Sequence, residues 1–124
     1  MSEINETGIH HYAATIADLL GVERPELAEE PISRVVTEIR SLTEKPFDRL
    51  FIFSPDCYAQ WMLEKRPEVL KTIKKHCPVM VPMHSMRPSV TPVCYSAIFT
   101  GAMPEVNGIT EKKGKQENDS LGEV

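Results

Sequence analysis

Pro88-Ser-Val-Thr91-Pro-Val-Cys94-Tyr-Ser-Ala-Ile-Phe-Thr100-Gly101-Ala-Met-Pro104-Glu-Val-Asn107-Gly108-Ile109 is the stretch on which the reading of the fold turns. It has the marks of a short helix. Thr91 is a favoured N-cap residue, and Pro92 suits the first helical position, where a missing N–H costs nothing. Gly101 can end the helix in the left-handed conformation that few other residues adopt cheaply. Valines, Cys94, Tyr95, Ala97, Ile98 and Phe99 cover most of the circumference, so the helix is expected to be buried rather than laid on a surface. Free N–H groups at the start of such a helix, beside a threonine hydroxyl, suit a phosphate-like anion.

Upstream, Arg49-Leu-Phe-Ile-Phe-Ser-Pro-Asp56 is a short apolar, aromatic-rich run that ends on a carboxylate and reads as a buried strand. Asp56 lies 35 residues before Thr91. Pro78-Val-Met-Val-Pro82 suggests a second strand, short or at an edge because prolines bracket it. Helical spacing appears four times more. Tyr12, Ile16, Leu19 and Leu20 mark a helix stopped by Gly21 and Pro25, and Ile32, Val35, Val36, Ile39 and Leu42 mark an amphipathic second. Tyr58, Trp61 and Met62 mark a short third ended by Pro67, and Val69, Leu70 and Ile73 open a fourth. The order α-α-β-α-α-β-α predicts an α/β fold, a partial parallel sheet covered by helices. Two strands make a thin sheet, and its edge offers a route to self-association.

The run from Thr91 to Ile109 resembles the nucleophile segment of the alkaline phosphatase superfamily, in its nucleotide pyrophosphatase/type I phosphodiesterase branch. There, a Thr or Ser opens a helix that ends in Thr-Gly and is followed by a Pro-x-x-His-Gly-Ile-like turn. Thr91, Thr100-Gly101 and Pro104-Glu-Val-Asn107-Gly108-Ile109 fit that pattern. Cys94 stands where many relatives carry an oxyanion-binding Asn, and Asn107 where His is usual. The stretch from Thr15 to Pro25 also looks like a segment of this superfamily, as a weaker motif. The resemblance implies that Asp56, at the end of the first strand, and Thr91 share a divalent metal, zinc, in a site of two ions. It implies that Thr91 is the nucleophile, and that Cys94 and the backbone N–H near it face the oxyanion. A metal there would lower the pKa of the hydroxyl and hold the phosphoryl oxygens. The function it implies is that of a metal-dependent phosphodiesterase or nucleotide pyrophosphatase acting on a phosphate ester or nucleotide-like substrate.

Length limits that expectation. The chain has 124 residues, enough for one modest domain. It divides into an N-terminal helical segment (1–45), the nucleophile-bearing α/β part (46–109) and a charged tail (110–124) that reads as disordered. In the resembled family most metal ligands follow the nucleophile, whereas this tail holds no His. The expectation is therefore a truncated or partial enzyme, inactive alone. The alternative is a noncatalytic small α/β module kept for packing or partner binding.

Each candidate also has a plainer reading. Asp56 can cap a helix beginning at Cys57, Thr91 can be a cap only, and Cys94 can be a small buried hydrophobe. His84 and Arg87 read as solvated loop residues, and Met80, Met83 and Met86 as gap fillers. His10 and His11 begin a helix, where a cation opposes the dipole, and read as exposed. A net charge of −4 without a basic stripe argues against a nucleic-acid polymer as partner. No apolar stretch approaches membrane-spanning length. The acidic start Met1–Glu6 is unlike a secretory signal, and three cysteines without a CxxC pair fit a reducing, cytoplasmic setting.

Overall fold

A computed structural model describes residues 7–111. The acidic start Met1–Glu6 and residues 112–124 of the expected tail lie outside the described residues. A single 3-10 turn, Ile9–His11, leads into helix α1, Tyr12–Leu20. There follow α2 (Ser33–Ser41), α3 (Gln60–Lys65), α4 (Pro67–His76), α5 (Thr91–Thr100) and α6 (Pro104–Asn107).

The helix starts and stops follow the sequence signals closely. α1 ends where Gly21 takes φ 67° and donates its N–H back to Ala17 and Asp18. α4 begins on Pro67, whose missing N–H is no loss in a first turn, and carries Lys74, Lys75 and His76 in its last turn, where cations suit the dipole. α5 ends where Gly101 takes φ 73° and returns its N–H to Ala97. One position shifts at its start. Val90, in extended conformation, precedes the helix, and Thr91 is its first residue rather than its cap.

The expected sheet is absent. Among the described residues there is no strand, only an isolated parallel bridge between Gly8 and His84. The parallel α/β architecture is thus overturned in favour of a helical one. The physical reason lies in the two runs read as strands. Residues 49–55 form no strand and Asp56 lies in a turn, and Phe51 and Phe53 stand 95% and 90% exposed. A parallel strand holds only between neighbours that satisfy its backbone and cover both faces. The other candidate, 78–82, has proline at both ends and cannot supply those bonds. With no sheet, the described residues present no sheet edge.

What replaces it is a core built on α5. Val93 and Ala97 are fully buried with Met86 and Ile109, and Ile9, Val90, Cys94 and Met103 pack around them. α5 packs against the 3-10 turn, α1 and α6, and α1 packs against α2. Small residues make the α1 contact close: Ala13, Ala14 and Ala17 are fully buried. The opposite face of α5, with Tyr95, Ile98 and Phe99, is half-buried rather than enclosed. Among the described residues, α3 and α4 pack on each other and on no other helix.

Beyond α5, the Thr100–Ile109 segment is tied by buried polar contacts. Thr100 donates its hydroxyl to Ser96 C=O at 2.7 Å. The Asn107 amide donates to Ala102 C=O at 3.0 Å and to Thr100 Oγ1 at 3.3 Å, and its oxygen accepts the N–H of Ile109 at 2.8 Å. These residues, part of the pattern behind the family resemblance, act here as the bolt between α5 and α6.

Candidate functional site

Asp56 and Thr91 come together. Both line one open cleft of about 820 Å³ between the 54–62 segment and the N-terminal half of α5. Cys94 lines it too, one turn into the helix. Neither key residue is used as a helix cap. α3 starts at Gln60 with Ala59 before it, so Asp56 caps nothing there; its Oδ1 accepts the adjacent N–H of Cys57 at 2.9 Å. No side chain caps α5.

The local backbone explains how Asp56 is held. Cys57 sits at φ 55°, the left-handed region, which costs a non-glycine residue on the order of 1 kcal/mol. The Asp56 carboxylate bonded to its N–H offsets part of that strain. Across the cleft, α5 turns its first residues toward the opening. Pro92 has no N–H and the Cys94 N–H is bonded to Val90 C=O at 3.0 Å. Thr91 and Val93 are therefore the residues whose N–H groups remain without a helical partner at this end. Cys94 reaches the cleft through its thiol, 3.5 Å from the Ser85 hydroxyl.

Ser85 and Ser89, both exposed, line the cleft as a hydroxyl pair 2.7 Å apart, with Ser89 donating to Met86 C=O at 2.8 Å. Tyr58, Trp61 and Tyr95 provide aromatic walls. The Tyr95 hydroxyl donates to Ser54 Oγ at 3.2 Å and ties the two sides together. The Lys65 ammonium lies 5.2 Å from the Trp61 ring centre. No sequence signal marked the serine pair or the Cys57 conformation, because both depend on loop paths set elsewhere.

Zinc does not fit this cleft as it stands. Stable sites use three or four protein ligands. Among the described residues that line the cleft, Asp56 is the one carboxylate, none is a histidine, and Asp56, Cys57 and Cys94 do not bring three ligand atoms within 4.8 Å of one another. Among the described residues, a group of three metal-binding side chains with mutually close ligand atoms forms elsewhere, at His10, His11 and Glu29. The reading of His10 as exposed is corrected: it is 8% exposed, its ring under the loop that carries Glu29.

No known protein family, curated protein or solved structure matches the chain. No helix among the described residues is long and apolar enough to cross a membrane.

Proposed function

We propose that the cleft is the nucleophile-bearing part of a phosphodiesterase-type site for a nucleotide-like phosphate ester. The single observation that carries the reading is the convergence of Asp56 and the uncapped Thr91 on one open cleft. In this reading the Thr91 hydroxyl attacks phosphorus, and an O–P bond forms to Thr91 as the bond to the ester oxygen breaks. That oxygen leaves with the electron pair and takes up, through solvent in the open cleft, the proton that Thr91 gives up. The N-terminal end of α5 draws the phosphate toward it. Tyr58, Trp61 and Tyr95 offer π faces for a base. Asp56 is one ligand of the metal that the family resemblance implies; the remaining ligands are not gathered around it by the described residues. Free Cys57, Cys77 and Cys94 support a cytoplasmic setting.

Two measurements test this. Titration of the chain with adenosine monophosphate, followed by backbone NMR, is expected to shift Ser54–Tyr58 and Thr91–Tyr95. Because the described residues do not gather the remaining metal ligands, the chain alone is expected to turn over no bis(p-nitrophenyl) phosphate, and the adenosine monophosphate shifts are expected to weaken in Thr91→Ala and to persist in Thr91→Ser. Nitrophenol release that survives Thr91→Ala, shifts that Thr91→Ala leaves unchanged, or shifts confined to surfaces away from the cleft, would overturn the reading.

The second reading, a noncatalytic helical module that binds a partner, is favoured by the exposure of Phe51 and Phe53. Replacing both with Ser is then expected to abolish association with the partner while leaving the helical content intact.

A further inference from the structure

His10 and His11 sit in the 3-10 turn before α1, and Glu29 lies in the loop between α1 and α2. The loop is anchored at two points. The N–H of Glu29 donates to Gly101 C=O at 2.8 Å, at the C-terminal end of α5. The N–H of Ile32 donates to Thr15 Oγ1 at 2.9 Å, and that hydroxyl donates in turn to His11 C=O at 2.7 Å. The loop is thus stitched to the turn it covers.

Within this frame, His10 Nε2 is 3.2 Å from Glu29 Oε2. One ligand atom from each of His10, His11 and Glu29 lies within 4.8 Å of the others. Zinc–nitrogen and zinc–oxygen bonds are near 2 Å, so two ligands on a tetrahedral ion sit roughly 3.3 Å apart. The His10–Glu29 separation, a hydrogen bond in this structure, is close to that value. His11 is oriented as metal-binding histidines are. Its Nδ1–H donates to Glu30 C=O at 2.8 Å, which places the proton on Nδ1 and leaves Nε2 with a lone pair. The two rings lie 4.0 Å apart, centre to centre.

The His10 side chain is nine-tenths buried, and its Nδ1, the nitrogen not bonded to Glu29, has no hydrogen-bond partner among the described residues. The ring lies where only glycine leaves room: a Cβ on Gly8 would come within 2.4 Å of Nδ1. Burial, first, and His11, second, push the His10 pKa below 6.5, while Glu29 pulls it up. The ring is therefore mainly neutral at pH 7, a poor ion-pair partner for Glu29 but a ready metal ligand.

The geometry points to a binding site for one divalent transition-metal ion, held by His10, His11 and Glu29. Imidazole and carboxylate donors suit zinc and cobalt. The site is distinct from the cleft. None of its three residues lines that cleft, and its loop is fixed to the far end of α5 from Thr91.

The test is calorimetric titration of tag-free, chelator-treated chain with zinc alone, repeated with cobalt to read the visible d–d bands. One ion per chain is expected, with four- or five-coordinate cobalt bands. Affinity is expected to fall roughly tenfold or more in His11→Ala and in Glu29→Gln, and to be unchanged in Glu105→Gln, an exposed carboxylate that belongs to neither site. Glu29→Gln alters a half-exposed side chain, so it keeps the test open if His11→Ala does not fold. Absence of binding in the folded wild type overturns the site, as does affinity that both ligand variants leave unchanged or that falls as much in Glu105→Gln.

Discussion

Asn107 shows how much one buried side chain can hold. It is 2% exposed, and its amide satisfies the Ile109 N–H and Ala102 C=O and reaches the Thr100 hydroxyl. Asn107→Ala would strand these groups without water to replace the lost partner, so unfolding in urea is expected to show a loss of about 1–3 kcal/mol. In the sequence, Asn107 stood out for the family pattern it nearly completes, and its packing role could not be read there, because its partners belong to the end of α5. His10 gives a pH-dependent counterpart. Its folded pKa lies below 6.5, chiefly through burial, so the unfolded chain takes up the proton first as pH falls. Its contribution to stability is complete above pH 6.5 and is lost as pH drops from there through the lower folded value. His11 and Glu29 are the titratable groups that face the ring. The chelator-treated chain is expected to melt at a lower temperature at about pH 5.5 than at about pH 7.5, with a flatter slope in His10→Gln. An unchanged slope in that variant would assign the acid sensitivity to other groups.

At the scale of elements, helix boundaries were legible and strands were not. A helix closes its own hydrogen bonds, so apolar spacing, prolines and glycines near Tyr12–Leu20, Pro67–His76 and Thr91–Thr100 were enough to place it. The run Arg49–Asp56 has strand composition, but a strand is completed only by neighbours, and none pairs with it here. The two helix-ending glycines separate backbone preference from packing. Gly21 has φ 67° and open space where a Cβ would stand, whereas at Gly101, φ 73°, a Cβ would fall 2.6 Å from Ala28 Cβ and 2.9 Å from its Cα. Gly21→Ala is expected to cost about 1 kcal/mol, the left-handed backbone alone. Gly101→Ala adds overlap with a neighbouring backbone and is expected to cost about 2–4 kcal/mol. Chemical denaturation of both variants measures the difference; equal losses would mean that the Ala28 loop yields freely.

For the whole molecule, the division that matters is between a tight body and a loose one. The 3-10 turn, α1, α5 and α6 share the buried cluster around Val93 and Ala97, and the α1–α2 loop is pinned to Gly101 and Thr15. Among the described residues, α3 and α4 contact no other helix, and of the two only Leu70 is buried. The candidate cleft bridges these bodies, with Asp56 on the loose side and Thr91 on the tight one. Their convergence was half legible: a carboxylate after an apolar run and a hydroxyl before an apolar helix were visible, but the sheet expected to join them is not what brings them together. Tyr95 and Ser54 supply one of the polar links that do so. Few buried contacts mean a low free energy of local opening. Hydrogen exchange read by mass spectrometry is therefore expected to show fast exchange across Gln60–His76 and slow exchange across Tyr12–Leu20 and Thr91–Thr100. A ligand that spans the cleft must hold the loose side in place, so adenosine monophosphate is expected to slow exchange in α3 more than in α1. Equal protection of all helices without ligand would show that residues 49–76 are held by contacts stronger than those seen between the two bodies.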